Sequence, residues 1–272
     1  MLTFNYLGYL GRIGNQMFQY AALRGISAQH NYEYSLPPNM LDNGEMYIHL
    51  YDCFDIRNLD KKISNWSNYE ERSPSTHEFD ENFFYNCPPQ TDLFGYFQTE
   101  KYFKNIDSII RDDFTFRDQI LNDSKNYFNG LFNDNEVISL HIRRTDYVDN
   151  NIMRLLKLSY YKNALSYFDS KIPVLVFSDD IEWCKTQEIF SGDRFKFSNN
   201  STYVDLCLMS MCKYHIVANS TFSWWGAWLA KSERTVSPRE WYFTNRVRIE
   251  DPYLPDYDWN SIDISPTHWI LL

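Results

Sequence analysis

The run His141-Ile142-Arg143-Arg144-Thr145-Asp146-Tyr147 sets an imidazole, two guanidinium groups and a carboxylate side by side. Arginine is planar and permanently charged, and it can hold two phosphate oxygens at once. A second polar cluster, Ser178-Asp179-Asp180, offers carboxylates able to accept from the two donors on a guanine edge. A third, Asn219-Ser220-Thr221-Phe222, falls where a helix should begin. A helix N-terminus presents N–H groups to an anion, and Ser220 and Thr221 add hydroxyl donors. Near the start, Gly11 and Gly14 let backbone approach a ligand closely, and Asn15 and Gln16 follow them. These groups suit recognition of a nucleoside diphosphate.

Each cluster also has a plain structural reading. Arg143 and Arg144 could be salt-bridged supports, Asp179 and Asp180 a helix cap, and Asn219-Ser220 another cap. His141 could be a hydrogen-bonded core histidine. Trp224, Trp225 and Trp228 cover one broad helix face and read as core. The glycine spacing is Gly-x-x-Gly-x-x-Gly, which is not the dinucleotide fingerprint, and no Walker loop occurs. Asp256-Tyr257-Asp258 has the spacing of a metal-binding carboxylate pair, but it lies in a proline-containing tail, and no metal is expected there.

The elements that must place these groups alternate. Leu2–Leu7 reads as a strand, and a glycine loop and a helix carrying Met17, Ala21 and Arg24 follow it. Residues 34–89 read as loops and short elements, and a helix is expected over 99–112. The C-terminal half is more regular, with strands at 137–142, 174–177, 194–197, 215–218 and 235–236. Between them come helical patterns: Leu158 to Phe168, one starting near Asp180, one opened by Thr202–Asp205 in capping-box form, and Phe222–Ala230 capped by Ser220. Strands alternating with helices imply a parallel sheet with helices on both faces. In such sheets ligands bind beyond the carboxyl ends of the strands, where all three C-terminal clusters fall. The domain boundary is expected in 129–135. Residues 1–130 then form an N-terminal, acceptor-side domain, and 131–272 a C-terminal, donor-binding domain whose tail packs back on the first.

The chain has 272 residues and a formal charge of −10, which argues against a nucleic-acid partner recognised through a broad basic surface. Hydrophobic residues make up 44%, enough for a sizeable core. The 5 cysteines are odd in number and form no Cys-x-x-Cys, so reduced thiols are expected. No leader or transmembrane run is read, which points to the cytoplasm, with peripheral attachment at the inner membrane face as the alternative. Oligomeric state has no signal here.

Taken together, four strings resemble the α-1,2-fucosyltransferases of glycosyltransferase family 11. They are Gly11 to Ala21, His141 to Tyr147, Val176 to Asp180, and Asn219 to Leu229. The resemblance implies a GT-B-like α/β fold, two Rossmann-type domains facing a cleft. It implies GDP-β-L-fucose as donor and a galactose-terminated oligosaccharide or lipid-linked glycan as acceptor. It also implies inversion to an α-1,2 link without a metal or other cofactor. On that basis Arg143, helped by Arg144 and the Ser220–Thr221 backbone, should stabilise charge on the departing β-phosphate. Asp146 should act as a base or orient Arg144, and Asp179 should take the guanine. Asn15 and Gln16 should lie near the fucose or the acceptor hydroxyl, with His141, Asp180, Asn219 and Phe222 completing the donor site. An α-1,6 or protein O-linked fucosyltransferase, and a non-catalytic nucleotide- or sugar-binding relative, are the competing readings.

Overall fold

The structure, a computed structural model, describes residues 1–38, 47–56, 67–70 (backbone), 78–134, 136–150, 152–243 and 261–272. The carboxylate pair Asp256 and Asp258 lies outside the described residues. The chain divides into two compact units, Met1–Arg117 with Arg248–Pro266, and Asp118–Val247 with Thr267–Leu272.

The first unit contains β1 (Leu2–Thr3), α1 (Ile13–His30), β2 (Tyr34–Ser35), α2 (Leu50–Cys53), β3 (Ser67–Glu70), α3 (Glu81–Asn86), β4 (Thr91–Phe94) and α4 (Asp107–Asp113). Its strands are parallel and ordered β2-β1-β4-β3. The strand expected over Leu2–Leu7 ends at Thr3, because the chain turns at once: Leu7 N–H donates to the Phe4 carbonyl and Tyr9 N–H to that of Tyr6. Helix α1 closes on Asn31, a residue type that tolerates the left-handed conformation it takes here (φ 53°). The expected helix over 99–112 is broken into 3₁₀ turns at Glu100–Tyr102 and Lys104–Ile106 before α4. Packing overrides propensity there, since Gly25 of α1 sits directly on the Tyr102–Phe103 backbone. The segment 261–266 belongs to this unit, and Asp263 accepts from Phe79 N–H and pairs with Lys101.

The second unit contains α5 (Asp118–Leu131), β5 (Ile138–Ile142), α6 (Leu158–Leu165), β6 (Val174–Ser178), α7 (Ile181–Thr186), β7 (Phe195–Phe197), α8 (Thr202–Met211), β8 (Tyr214–Ile216), α9 (Thr221–Leu229), β9 (Arg234–Ser237) and β10 (Ile270–Leu271). The sheet is parallel throughout, in the order β10-β9-β8-β5-β6-β7. Its central strands are buried on both faces, which explains their continuous apolar text. The division falls before α5, at Arg117, rather than in 129–135. Phe128 of α5 shares a core with Leu208 and Met209 of α8, so the helix belongs with the second unit. Thr202–Asp205 makes no capping box. Ser201 is the N-cap, and the Asp205 carboxylate turns instead to the Ser198 hydroxyl (2.5 Å).

Cys53, Cys87, Cys184, Cys207 and Cys212 are all free and buried. Burial pushes the Cys87 and Cys184 thiols up to about 11.

Gly25 gives a stability test. Replacing glycine by alanine inside a helix ordinarily stabilises by about 0.5–1 kcal/mol. Here the added Cβ would stand 1.9 Å from the Tyr102 carbonyl oxygen and 2.7 Å from the Phe103 Cα. The clash is with backbone and should win, so Gly25→Ala is expected to destabilise by about 1–3 kcal/mol in urea unfolding.

Candidate functional site

The second sheet reverses its order at β5. The chain runs from β5 outward through β6 to β7, then crosses to lay β8 on the other side of β5. The register aligns the strand ends: Ile142 lies beside Ser178, and Leu140 beside Ile216. The segments 143–147, 178–180 and 219–222 therefore emerge together at a topological switch point, the place where open α/β sheets hold ligands.

Asp179 organises the first two segments. Its carboxylate accepts from Arg144 N–H (2.9 Å), Thr145 N–H (3.1 Å) and the Thr145 hydroxyl (2.5 Å), and pairs with Arg143 (3.3 Å). Burial alone would push its pKa up, but the Thr145 bond and Arg143 outweigh it and hold the carboxyl below its usual range. Asp179, expected at the guanine, is engaged here by the 143–145 loop.

The two arginines part company. Arg144 pairs with Asp180 (3.1 Å), and its guanidinium lies 3.8 Å from the Trp183 ring centroid. Asp180 also caps α7, accepting from Trp183 N–H (3.3 Å). Arg144 and Asp180 thus fasten the loop to α7. Arg143 pairs with Asp146 (2.5 Å), whose side chain is 49% exposed. Asp146 therefore orients Arg143, where the sequence reading placed it against Arg144. Two guanidiniums face three carboxylates here, so the loop is no bare positive patch.

Tyr147 joins this loop to the third segment. Its buried hydroxyl donates to the Asn219 carbonyl (2.9 Å), while its ring lies 5.7 Å from the Arg143 guanidinium carbon. Asn219 is fully buried, and its amide nitrogen donates to the Arg154 and Trp241 carbonyls (2.7 and 2.8 Å). The amide nitrogen of Asn219 thus ties two loops together. Ser220 is the N-cap of α9 with its side chain making no cap bond, and Thr221 opens the helix. Phe222 packs at 5.7 Å from the His141 ring. Burial, with Arg143 adding to it, pushes His141 down to about 3, so its ring is neutral. Among the described residues, the buried atoms His141 Nδ1 and Asn219 Oδ1 have no hydrogen-bond partner, an arrangement that costs free energy unless a ligand or water meets it.

Sequence reading places Thr145 and Tyr147 at this edge without giving them a role, and it misses Asp205 there. Asp205 follows β7. One carboxylate oxygen takes the Ser198 hydroxyl (2.5 Å), and Ser198 also accepts from Asn200 (2.9 Å). Burial pushes the carboxyl up to about 7, against the lowering effect of the Ser198 bond. Its apparent role as a helix-start residue hid it.

Asn15 and Gln16 belong to the first unit. The Asn15 side chain accepts from Gln98 (2.7 Å), and Gly11 must be glycine beside it, with φ +81° and a built Cβ only 1.9 Å from Asn15 Nδ2. Gln16 is fully buried and spends its amide internally. It donates to the Gly11 and Tyr47 carbonyls (3.2 and 2.9 Å) and accepts from His49 N–H (2.8 Å). Gln16 therefore positions loops.

The family model described as Glycosyl transferase family 11 matches residues 3–263. An Escherichia coli protein named alpha-1,2-colitosyltransferase is 33% identical over 89% of this chain and 93% of its own. A Bos taurus galactoside alpha-(1,2)-fucosyltransferase 2 is 24% identical over 90% of this chain and 72% of its own. Among solved structures, POFUT1 in complex with GDP superposes with a TM-score of 0.52 at 14% identity, over 87% of this chain and 96% of that one. That likeness shows a shared fold, the GT-B-like arrangement of parallel α/β units.

Asp205 sets a pH dependence. The folded protein keeps a proton on it up to about pH 7, whereas an unfolded aspartate loses it near pH 4. The folded state binds more protons in that window, so stability falls as pH rises through it and levels off above it. The slope from one group approaches about 1.4 kcal/mol per pH unit, and Asp205→Asn should remove it in urea unfolding across about pH 5 to 8.

Proposed function

The chain belongs to glycosyl transferase family 11, and from that premise we propose that it moves L-fucose from GDP-β-L-fucose to the 2-hydroxyl of a terminal β-galactose. The hydroxyl attacks the anomeric carbon as the bond to the β-phosphate breaks on the opposite face. The link changes from β to α, GDP leaves with the bonding electrons, and the proton of the attacking hydroxyl is released to water.

The observation that carries this reading is the meeting of Arg143 with the N-terminus of α9 at the strand-order reversal, joined through Tyr147 and Asn219. Charge grows on the β-phosphate as the donor breaks. A guanidinium and a helix N-terminus fixed beforehand meet it with little reorganisation. In this reading Arg143 exchanges Asp146 for phosphate oxygens. Asp205, with one oxygen left unbonded among the described residues, takes the guanine donors in place of Asp179. Arg144, Asp180 and Asp179 hold the loop, and no metal takes part.

Release of GDP from GDP-fucose on addition of lactose, equal with and without EDTA, tests the reaction and its metal independence. Product NMR assigns the linkage and separates α-1,2 from α-1,6. Arg143→Ala should lower kcat by about 10²–10³, the usual cost of losing a donor aimed at developing charge. Arg143→Lys should recover little, because an ammonium cannot form the paired contact. Near-normal turnover in a folded Arg143→Ala enzyme would overturn the assignment.

The 33% identical colitosyltransferase supports a second donor. Colitose is fucose without its 3-hydroxyl, so direct competition between the two GDP-sugars decides which is preferred.

A further inference from the structure

The first unit has a strand-order reversal of its own. From β1 the chain passes to β2 on one side, and β4 later pairs on the other. The loops leaving β1 and β4 therefore flank a second switch point, where a parallel sheet again favours a ligand. What stands there is a set of exposed rings. Tyr6 and Tyr9 are 46% and 55% exposed. Their ring centroids are 6.4 Å apart, and Tyr6 meets Phe94 edge-on at 5.4 Å. Beside them the Tyr47 hydroxyl donates to Asp52 (2.5 Å). A Cβ on Gly8 would come within 3.1 Å of the Tyr47 backbone, so the loop that carries Tyr6 and Tyr9 runs against the segment that carries Tyr47.

The surface is braced from below. Gln19 is fully buried, and its amide donates to the Leu10 carbonyl (3.2 Å) and the Gly95 carbonyl (3.0 Å), tying the two loops together. Gln16 does the same for Gly11 and Tyr47. Burying an amide is favourable where its bonds are made, and both amide nitrogens make theirs, while Gln19 Oε1 has no partner among the described residues. Here those bonds fix the loops that hold aromatic rings out in water, the arrangement of a prepared binding surface.

Resting on the sugar-transfer reading above, we infer that Tyr6, Tyr9 and Phe94 form the platform on which the acceptor galactoside stacks, with Tyr47 and Asp52 as its polar rim. β-Galactose has one face of C–H bonds and an edge of hydroxyls. The first matches the rings, and the second matches a phenol and a carboxylate. A protein partner would need about 800 Å² on this side, far more than three rings supply.

Saturation-transfer NMR with methyl β-galactoside tests the platform without turnover. Wild type should saturate the galactose ring protons, and the double variant Tyr6→Ala/Tyr9→Ala should not. In steady-state assays each single variant should raise the acceptor KM by about two- to tenfold, and donor KM should move by less than about twofold. Tyr9→Phe should restore most of the acceptor affinity. Tyr85→Ala, which removes a 54% exposed tyrosine on α3, is the surface control. Thermal melts check that every variant is folded. Equal saturation by wild type and double variant, or none by wild type, overturns the platform. If wild type saturates with the galactoside but transfers fucose to none, the transfer reading fails while the platform stands.

Discussion

The Asp179 carboxylate is the constraint on which the donor edge depends. It binds the backbone and side chains of Arg143, Arg144 and Thr145 together. Hydrogen bonds to an ionised group contribute about 1.5–3 kcal/mol each. The 143–145 loop leaves its strand with no other regular structure to direct it, so these bonds choose its path. Once the path is set, Arg144 reaches Asp180 and Trp183, Tyr147 reaches Asn219, and Arg143 is the cation whose partner is the half-exposed Asp146. Removing the carboxylate would free the loop and also leave Arg143 half-buried beside Asp146 alone.

This edge was largely legible in the sequence, and its division of labour was not. Apolar runs such as Val174–Phe177 announce buried parallel strands, and the polar strings after them announce the ligand edge. Nothing in the string distinguishes Arg143 from Arg144, or a carboxylate that meets a ligand from one that holds a loop. Those roles are set by register: Ile142 beside Ser178 brings Asp179 under the loop. Gln16 and Asn219 read as ligand contacts because polar residues beside glycines or helix starts usually face outward. Here they are buried and tie backbone carbonyls. The first unit was harder to read because β1 and β2 have only two residues each, too few for periodicity to show. Helix α5 was missed because its apolar positions are few, and its place comes from packing on α8.

The two units solve the same problem in different chemistry. Each places its polar or aromatic equipment where strand order reverses, and each braces it with side chains that tie one loop to the next. In the second unit the bracing is ionic, through Asp179 and Asp180. In the first it is neutral, through the amides of Gln16 and Gln19. Carboxylates suit a loop that carries arginines, whereas amides hold exposed rings without adding charge.

The buried thiols have a practical consequence. All five cysteines are enclosed, and burial raises the pKa of Cys87 and Cys184, leaving little thiolate for alkylation at neutral pH. A maleimide dye added to the native enzyme would therefore find no ready target. A single cysteine introduced on the surface could carry a fluorophore alone, with the endogenous set left in place as an internal gauge of global opening.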